Sequence, residues 1–176
     1  MPVVTLSFAV ATVDGVPVVD EAWIDARVAE ANRLYAVVPL AFRAAHVAGL
    51  PERFARLVTR ADRDAVIGRL VPGVVNVRIT GELLDVDEPG SRRGVHWHDR
   101  HDRSRHVVIL SKIAAPSVLA HELGHYFGNP HSFVDDNLMS YLRTGAPLFL
   151  DADQLSVIRK TLGAELASGA LRDGRR

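Results

Sequence analysis

Cysteine, long apolar runs and an excess of either charge are all absent from this 176-residue chain. Without cysteine the protein has no disulfide framework, no thiolate metal site and no cysteine nucleophile. Lys plus Arg and Asp plus Glu number 21 each, so the charge balance points to neither nucleic acid nor a membrane as a partner. No stretch approaches the roughly 20 apolar residues that a membrane span needs. The remaining composition, 48% hydrophobic and 24% charged, is typical of one globular domain.

The amino terminus, Met1 to Thr5, shows no basic segment and no clear cleavage site of a secretory signal. We therefore expect a cytoplasmic protein, although the lack of disulfides leaves secretion open. We also expect a monomer with a single domain over residues 1–170. Residues 171–176, which are mostly charged, are predicted to form a disordered tail.

Apolar periodicity predicts alternating strands and helices, a layered arrangement of either the α/β or the α+β class. Segment 85–106 has no such periodicity and is predicted to be a long exposed loop. The strands are predicted at Val3–Val10, Leu40–Val47, Val74–Leu84 and Val107–Ser111. The helices are predicted at Glu21–Tyr35, at Glu52–Leu70 with a break near Arg60–Asp62, from Pro116 onward, and at Asp151–Leu166, where Asp151 and Gln154 are spaced as a capping box.

The segment from residue 121 to residue 131 reads His-Glu-Leu-Gly-His-Tyr-Phe-Gly-Asn-Pro-His. On a helix, His121 and His125 lie about 40° apart in rotation and roughly 6 Å apart along the axis, so both imidazoles can reach one ion. Glu122 is offset by about 100° from His121, which brings it near a metal-bound water without making it a ligand. The spacing predicts a metal site on one face of a helix.

The third histidine, His131, reaches the same ion only if the chain turns, because a continued helix would rotate it by about 240° from His125. Gly128 can adopt the positive φ that ends a helix, and Pro130 prevents the helix from resuming. Three imidazoles with a fourth position open form a catalytic rather than a structural zinc site. Zinc would lower the pKa of its water to about 7, and Glu122 would take the proton so that the resulting hydroxide attacks a peptide carbonyl.

These residues match the complete His-Glu-x-x-His-x-x-Gly-x-x-His signature, and the chain resembles the metzincin clan of zinc metalloproteases. The stretch Asn137-Leu138-Met139-Ser140-Tyr141 resembles the clan's Met-turn, whose methionine lies beneath the zinc ligands. Met139 is the only methionine besides Met1. Tyr141 resembles the tyrosine that astacins, serralysins and pappalysins place near zinc, where it stabilises the oxyanion.

The resemblance implies an α+β, metzincin-like zincin domain. Its parts are a twisted mixed sheet with a long backing helix, a zinc-binding active-site helix and a C-terminal helix. It implies a metalloendopeptidase that acts on a peptide or protein substrate, with Val107–Ser111 as the edge strand that pairs with the substrate. It also implies one Zn²⁺ ion held by His121, His125 and His131. The implied catalytic residues are Glu122 and Tyr141, and the implied structural residues of the site are Gly128 and Met139.

Some positions depart from the well-known metzincin families. Ser132 after the third histidine is similar to matrix metalloproteases, whereas Met139-Ser140-Tyr141 is similar to astacins and pappalysins. Asn129 stands where an apolar residue is more usual. Only seven residues separate His131 from Met139, which leaves little chain for a deep specificity pocket. Within the clan we lean towards a pappalysin-like protein.

The alternative function is a metzincin-fold zinc-binding protein that acts as a non-proteolytic binding module. Glu122 and Tyr141 argue against it, because a pure binding module has no chemical need for either residue. A nucleic-acid-binding role through the basic segment is disfavoured by the zero net charge and by the lack of a basic helix.

Segment 92–106 contains four histidines and five arginines. We favour its interpretation as a solvated basic loop over the cleft. In the alternative, an additional structural metal is bound by His96 and His98, which would share a face if the segment were a strand, with help from Asp99 and Asp102.

Overall fold

A mixed six-stranded sheet forms the centre of the structure, a computed structural model that describes residues 1–175. Over those residues, no helix combines the length and the apolar character that crossing a lipid bilayer requires. The sheet contains β1 (Val3–Val13), β2 (Val16–Pro17), β3 (Ala41–Leu50), β5 (Val75–Thr80), β7 (Gly94–His98) and β8 (His106–Ser111), while β4 (Arg56–Leu57) and β6 (Glu82–Leu83) form a separate pair. The helices are α1 (Glu21–Leu34), α2 (Arg60–Ile67), α3 (Pro116–Tyr126) and α4 (Ala152–Ser168), and a 3-10 turn covers Glu52–Phe54.

The sheet runs in the order β3, β1, β5, β8, β7, and β2 pairs with the end of β1. Neighbouring strands from β3 to β8 are parallel, and β7 is antiparallel to β8. The sheet combines parallel and antiparallel pairs and packs with helices, which confirms the predicted α+β class with a mixed sheet.

Side chains of β8 alternate between two apolar cores, as the period of two in a strand requires. Val108 and Leu110 belong to the larger core, which also takes residues from α1, α3 and α4. Val107 and Ile109 belong to the smaller core on the opposite face, together with residues of α2. The sheet is thus covered on both faces, with the long helix α1 behind it as predicted.

Capping boxes start two of the helices. Asp151 and Gln154 form the predicted one at the beginning of α4. Thr59 and Asp62 form a second one at the beginning of α2. The predicted break near Arg60–Asp62 is therefore wrong, because these residues begin a helix and the irregular stretch precedes them.

The prediction of a long exposed loop over residues 85–106 is wrong in its centre, where β7 pairs residue by residue with His106–Leu110 of β8. Val95 and Trp97 pack against the smaller core, while His96 and His98 point to the other face. The side chains thus alternate as in any strand, with apolar residues on one face and histidines on the other. The alternation is visible in the sequence, but the many charged residues around it favour a loop.

The predicted edge strand, Val107–Ser111, lies inside the sheet. β8 pairs with β5 on one side and with β7 on the other. Within residues 1–175 no strand pairs with the outer side of β7, so β7 is the edge. The open strand edge next to the predicted metal site therefore belongs to Gly94–His98.

The predicted disordered tail is ordered over residues 171–175, and Arg176 lies outside the described residues. Leu171 is 1% exposed within the larger core. The amide of Arg172 donates to the carbonyl of Gly73, and the amide of Gly174 donates to that of Val3. One apolar side chain and a few backbone hydrogen bonds thus hold a segment whose composition predicted disorder.

We expect Leu171→Ala to lower the free energy of unfolding by about 2–5 kcal/mol, since it opens a cavity in the core. The control is Val37→Ala, because Val37 is 61% exposed, and its effect should stay within about 0.5 kcal/mol. Urea denaturation followed by circular dichroism measures both variants. Equal stability of the two variants would show that the tail contributes nothing to the core.

Candidate metal centre

The three predicted zinc ligands converge, two from α3 and one from the segment after it. The Nε2 atom of His125 lies 3.1 Å from Nε2 of His121 and 3.1 Å from Nε2 of His131. Their ligand atoms form one of two groups of histidines in the described chain that are close enough to hold a metal ion. The spacing of the motif therefore leads to the geometry that it predicts.

The protonation state of these rings follows from their outer hydrogen bonds. Nδ1 of His121 donates to the carbonyl of Leu138 at 2.7 Å, and Nδ1 of His125 donates to the carbonyl of Asn129 at 2.8 Å. Because a carbonyl only accepts, the proton of each neutral ring is on Nδ1, and Nε2 presents a lone pair. Burial also lowers the pKa of His121 to about 4, which keeps that ring neutral.

Two lone pairs that face each other at 3.1 Å repel unless a cation lies between them. The donor set thus fits a divalent metal ion, and three imidazole nitrogens suit zinc. The outer hydrogen bonds are of the kind that orients metal-bound histidines. His121, His125 and His131 are the residues that would hold the ion.

The chain leaves α3 through a Schellman turn centred on Gly128. Gly128 has a φ of +96°, its amide donates to the carbonyl of His125, and the amide of Asn129 donates to the carbonyl of Gly124. This is the predicted turn, and it has a second effect. It brings the carbonyl of Asn129 to Nδ1 of His125, so the turn that ends the helix also orients this ring.

Met139 lies beneath the histidines and is 0% exposed. Its amide donates to the side chain of Asn137 at 2.9 Å, and its carbonyl accepts from the amide of Ser132. The tight turn thus joins the segment that carries His131 to the segment that orients His121. The structural role that the Met-turn resemblance implies for Met139 stays a prediction.

A buried amide pair connects this turn to α4. Nδ2 of Asn137 donates to Oε1 of Gln154 at 2.9 Å, and Nε2 of Gln154 donates to Oδ1 of Asn137 at 3.0 Å. Both side chains are buried. Sequence reasoning identified Gln154 only as a helix cap, because nothing in the spacing of two residues 17 apart indicates their pairing.

Two glycines let other elements approach α3 closely. A Cβ atom on Gly124 would overlap the sulfur of Met139, so only glycine leaves room for the methionine beneath the helix. A Cβ atom on Gly94 of β7 would lie 2.9 Å from Oε1 of Glu122 and 2.7 Å from Cγ1 of Val118. The edge strand therefore lies directly against the predicted general base.

Glu122 is 5% exposed and is not among the three converging ligands. Burial raises the pKa of its carboxyl group to about 8, while the backbone N–H of His96 and the charge of Arg92 act in the opposite direction. A cation held by the imidazoles would further favour the carboxylate. The side chain thus lines the same cavity as His125 and His131 without joining the converging group.

Tyr141 lies at the opening of the site, and its hydroxyl oxygen is 2.8 Å from Nε2 of His131. The residue is 65% exposed, so it is not a core aromatic. Burial of the hydroxyl and the nearby Glu122 raise its pKa, although Arg92 lowers it, and the phenol remains a donor. The hydroxyl thus lies beside one of the three converging histidines, and the catalytic role of Tyr141 stays a prediction.

Arg92 lies at the site, although the sequence predicts it to be part of a solvated loop. Glu122, Tyr141 and Arg92 line two cavities of about 470 and 380 Å³, and Arg93 and Arg143 also line the second one. Nε of Arg92 donates to Oδ2 of Asp85 at 2.5 Å, which holds the guanidinium at the opening of the site. Its position depends on the fold, and no motif identifies it.

The second group of histidines is His96, His98 and His106, on β7 and β8. Each is only partly exposed, so the interpretation as a solvated loop is wrong for these three. Burial lowers the pKa of His96 to about 3 and that of His106 to about 4. His101 lies outside the group and is exposed.

Solved structures share this architecture. Mature mirolysin of Tannerella forsythia, in complex with a cleaved peptide, aligns with a TM-score of 0.67 at 9% identity, over 97% of this chain and 98% of its own. Archaemetzincin from Methanopyrus kandleri aligns with a TM-score of 0.58 at 16% identity, over 91% and 96%. Metalloproteinase-II from Bacteroides fragilis aligns with a TM-score of 0.59 at 14% identity, over 91% of this chain and 53% of its own.

No protein-family model and no curated protein matches the chain. The fold and the histidine site are those that the sequence motif predicts, and the chain has the metzincin fold. The lean towards a pappalysin-like protein stays a prediction.

We expect Gly124→Ala to lower the free energy of unfolding by about 1–3 kcal/mol, since the added methyl group displaces Met139. The control is Gly163→Ala in α4, where a Cβ atom has no neighbour within 4 Å. That change should raise stability by about 0.4–1 kcal/mol, because alanine restricts the unfolded chain. Thermal unfolding of both variants measures the difference, and equal shifts would exclude a close packing role for Gly124.

Proposed function

We propose that the protein is a zinc-dependent endopeptidase. The observation that carries the proposal is the set of groups around one point. Three imidazole nitrogens converge, the Glu122 carboxyl group lies beside them without joining them, and the Tyr141 hydroxyl is 2.8 Å from a ligand nitrogen. A structural metal site needs the nitrogens alone, whereas hydrolysis also needs a base and an oxyanion donor.

His121, His125 and His131 would hold the zinc ion through Nε2, with Nδ1 of the first two fixed by backbone carbonyls. The chemistry that zinc supplies when bound is polarisation of a carbonyl group and acidification of a water molecule. The hydrogen bonds to Leu138 and Asn129 raise the basicity of the rings and restrict their rotation. The ligands are therefore oriented before any ion arrives.

Glu122 would act as general base and then as general acid. Its carboxylate accepts a proton from the attacking water and returns it to the amine that leaves. Burial favours proton uptake, since desolvation disfavours the charged form of the carboxyl group. The close contact with Gly94 limits the movement of the side chain.

Tyr141 would donate from its hydroxyl to the substrate carbonyl oxygen as negative charge develops there. Arg92 lies close enough to influence the pKa of both Tyr141 and Glu122, so its charge would also favour an anion in this cleft. Both groups act at the opening of the site, where a carbonyl would enter.

The substrate would bind as an extended chain along the free edge of β7, a form of strand addition. Support comes from the position of Gly94 against Glu122 and from the cleaved peptide in the mirolysin complex. Arg92, Arg93 and Arg143 line the adjacent cavity. We propose that this cavity favours acidic side chains of the substrate.

We expect Glu122→Gln to retain zinc and to lose at least about 10²-fold in peptide hydrolysis, because the amide cannot take up the proton. Mass spectrometry of a peptide library incubated with zinc-loaded protein measures cleavage, and enrichment of acidic residues near the cut tests the proposed preference. Elemental analysis of the same samples is the control for metal content. Cleavage by the variant at the wild-type rate contradicts the general-base role, and a wild-type protein that binds zinc but cuts no peptide favours the non-proteolytic binding module.

We expect Tyr141→Phe to lower kcat by about 10²–10³-fold, as the loss of other oxyanion donors does. KM should change little, since the donor acts mainly in the transition state. Steady-state kinetics on a peptide found by the library measure both constants. Tyr126→Phe serves as a matched control, because the ring of Tyr126 stacks on His106, outside the group formed by His121, His125 and His131, and the substitution keeps that ring. An unchanged kcat in Tyr141→Phe would remove the tyrosine from the mechanism.

A further inference from the structure

The second histidine group lies on the two strands at the edge of the sheet, and its ligand set is separate from that of residues 121–131. We propose that His96, His98 and His106 bind a second zinc ion, which fastens the edge strand β7 to β8. The inference goes beyond the peptidase function and does not depend on it.

The pairing of β7 with β8 brings the three side chains to one face. His98 is directly opposite His106, and His96 is opposite Val108. Opposed residues of an antiparallel pair point to the same side, as do residues two apart on one strand. Because Val108 belongs to the larger core, all three histidines face the α3 side of the sheet.

The ring nitrogens are close enough for one ion. One nitrogen from each ring lies within 4.8 Å of those from the other two, and Nε2 of His96 is 2.8 Å from Nδ1 of His106. Nδ1 of His98 donates to the carbonyl of Arg103 at 2.9 Å, so its Nε2 carries a lone pair. A hydrogen bond between His96 and His106 would use the lone pair of only one ring nitrogen and would leave Nε2 of His98 without a partner in the group. A metal ion would accept a lone pair from all three rings.

The charged side chains of the connecting turn point elsewhere. Arg100 forms an ion pair with Asp64 of α2, and Arg105 donates to the carbonyl of Gly68 just after α2. The guanidinium groups of Arg100 and Arg105 therefore do not lie where a cation would bind the histidines. The ring of Tyr126 stacks on His106 at 4.8 Å and covers the group from the side of α3.

The two aspartates that the sequence suggested as further ligands are engaged within the turn. Asp99 accepts from the amide of His101, and Asp102 accepts from the amide and hydroxyl of Ser104. The ligand set is thus three imidazoles, with solvent left for a fourth position. Three neutral nitrogen donors again favour zinc over calcium or magnesium.

An ion at this position would have a mechanical effect on the catalytic cleft. His96 supplies both a ligand and the backbone N–H that influences the pKa of Glu122. The same strand contains Gly94, where a Cβ atom would lie 2.9 Å from Oε1 of Glu122. Crosslinking β7 to β8 would therefore hold the proposed substrate-binding edge at a constant distance from the base.

The test is the zinc content of the full-length protein, stripped with a chelator, reloaded with excess zinc and desalted. We expect two zinc ions per chain in the wild type, one in His98→Ala, one in His125→Ala and none in the double variant. His101→Ala is the matched control and should retain two, because this exposed histidine lies outside the group. Inductively coupled plasma mass spectrometry gives the counts.

The outcomes separate this inference from the proposed function. One zinc in the wild type that is lost in His125→Ala overturns the second site and leaves the peptidase proposal intact. One zinc that is retained in His125→Ala and lost in His98→Ala supports the second site and overturns the catalytic ligand assignment.

A second measurement covers the case in which His98→Ala does not fold. In His125→Ala the catalytic ligand set is broken, so zinc-dependent protection of the β7 amides that hydrogen-bond to β8 reports the second site alone when hydrogen exchange is measured. We expect at least about tenfold slower exchange of these amides with zinc, since local opening would require release of the ion. Identical exchange with and without zinc overturns the proposal.

Discussion

Two hydrogen bonds from histidine rings to backbone carbonyls are the constraint on which the site depends. They connect His121 to the Met-turn at Leu138, and His125 to Asn129, just after the turn at Gly128. Each bond fixes a tautomer and a ring orientation, and each requires that a loop return to α3 with a carbonyl in place. The positive φ of Gly128 and the buried amide pair between Asn137 and Gln154 are the means by which the two loops return.

The Met-turn and the strand β7 both lie close to α3, because each approaches it at a glycine. On the lower side Gly124 admits the Met139 sulfur, and on the strand side Gly94 admits Glu122. The helix therefore has a methionine beneath its ligands and a strand edge against its base, with no side chain between them. Packing of this kind transmits small displacements, because dense interiors have few voids to absorb them.

The parts of the fold that depend on local pattern could be predicted from the sequence. The helix that bears the ligands, the turn at Gly128 and the capping box at Asp151 all follow from spacing within a few residues. Long-range pairing could not be predicted in the same way. The sequence predicts Val107–Ser111 as the edge strand, whereas the edge is β7, one strand further out. His96 and His98 are typical of a loop by composition, although they alternate with Val95 and Trp97 as residues of a strand do.

The same distinction applies to the site. His121, Glu122, His125 and His131 follow from one motif, whereas the approach of Arg92 depends on how segment 85–92 returns to the sheet. The order of residues 171–175 likewise depends on tertiary contacts that outweigh a charged composition. Predictions from sequence were therefore correct where the chemistry is local and incomplete where distant segments meet.

An open strand edge has a consequence for the behaviour of the protein at high concentration. Unpaired backbone groups on β7 can accept a strand of a second copy as readily as any other extended chain, which is a route to self-association. The shortness of the strand opposes it, because β7 has only five residues and offers few backbone groups to a second copy. A short edge thus limits the pairing of one copy with another.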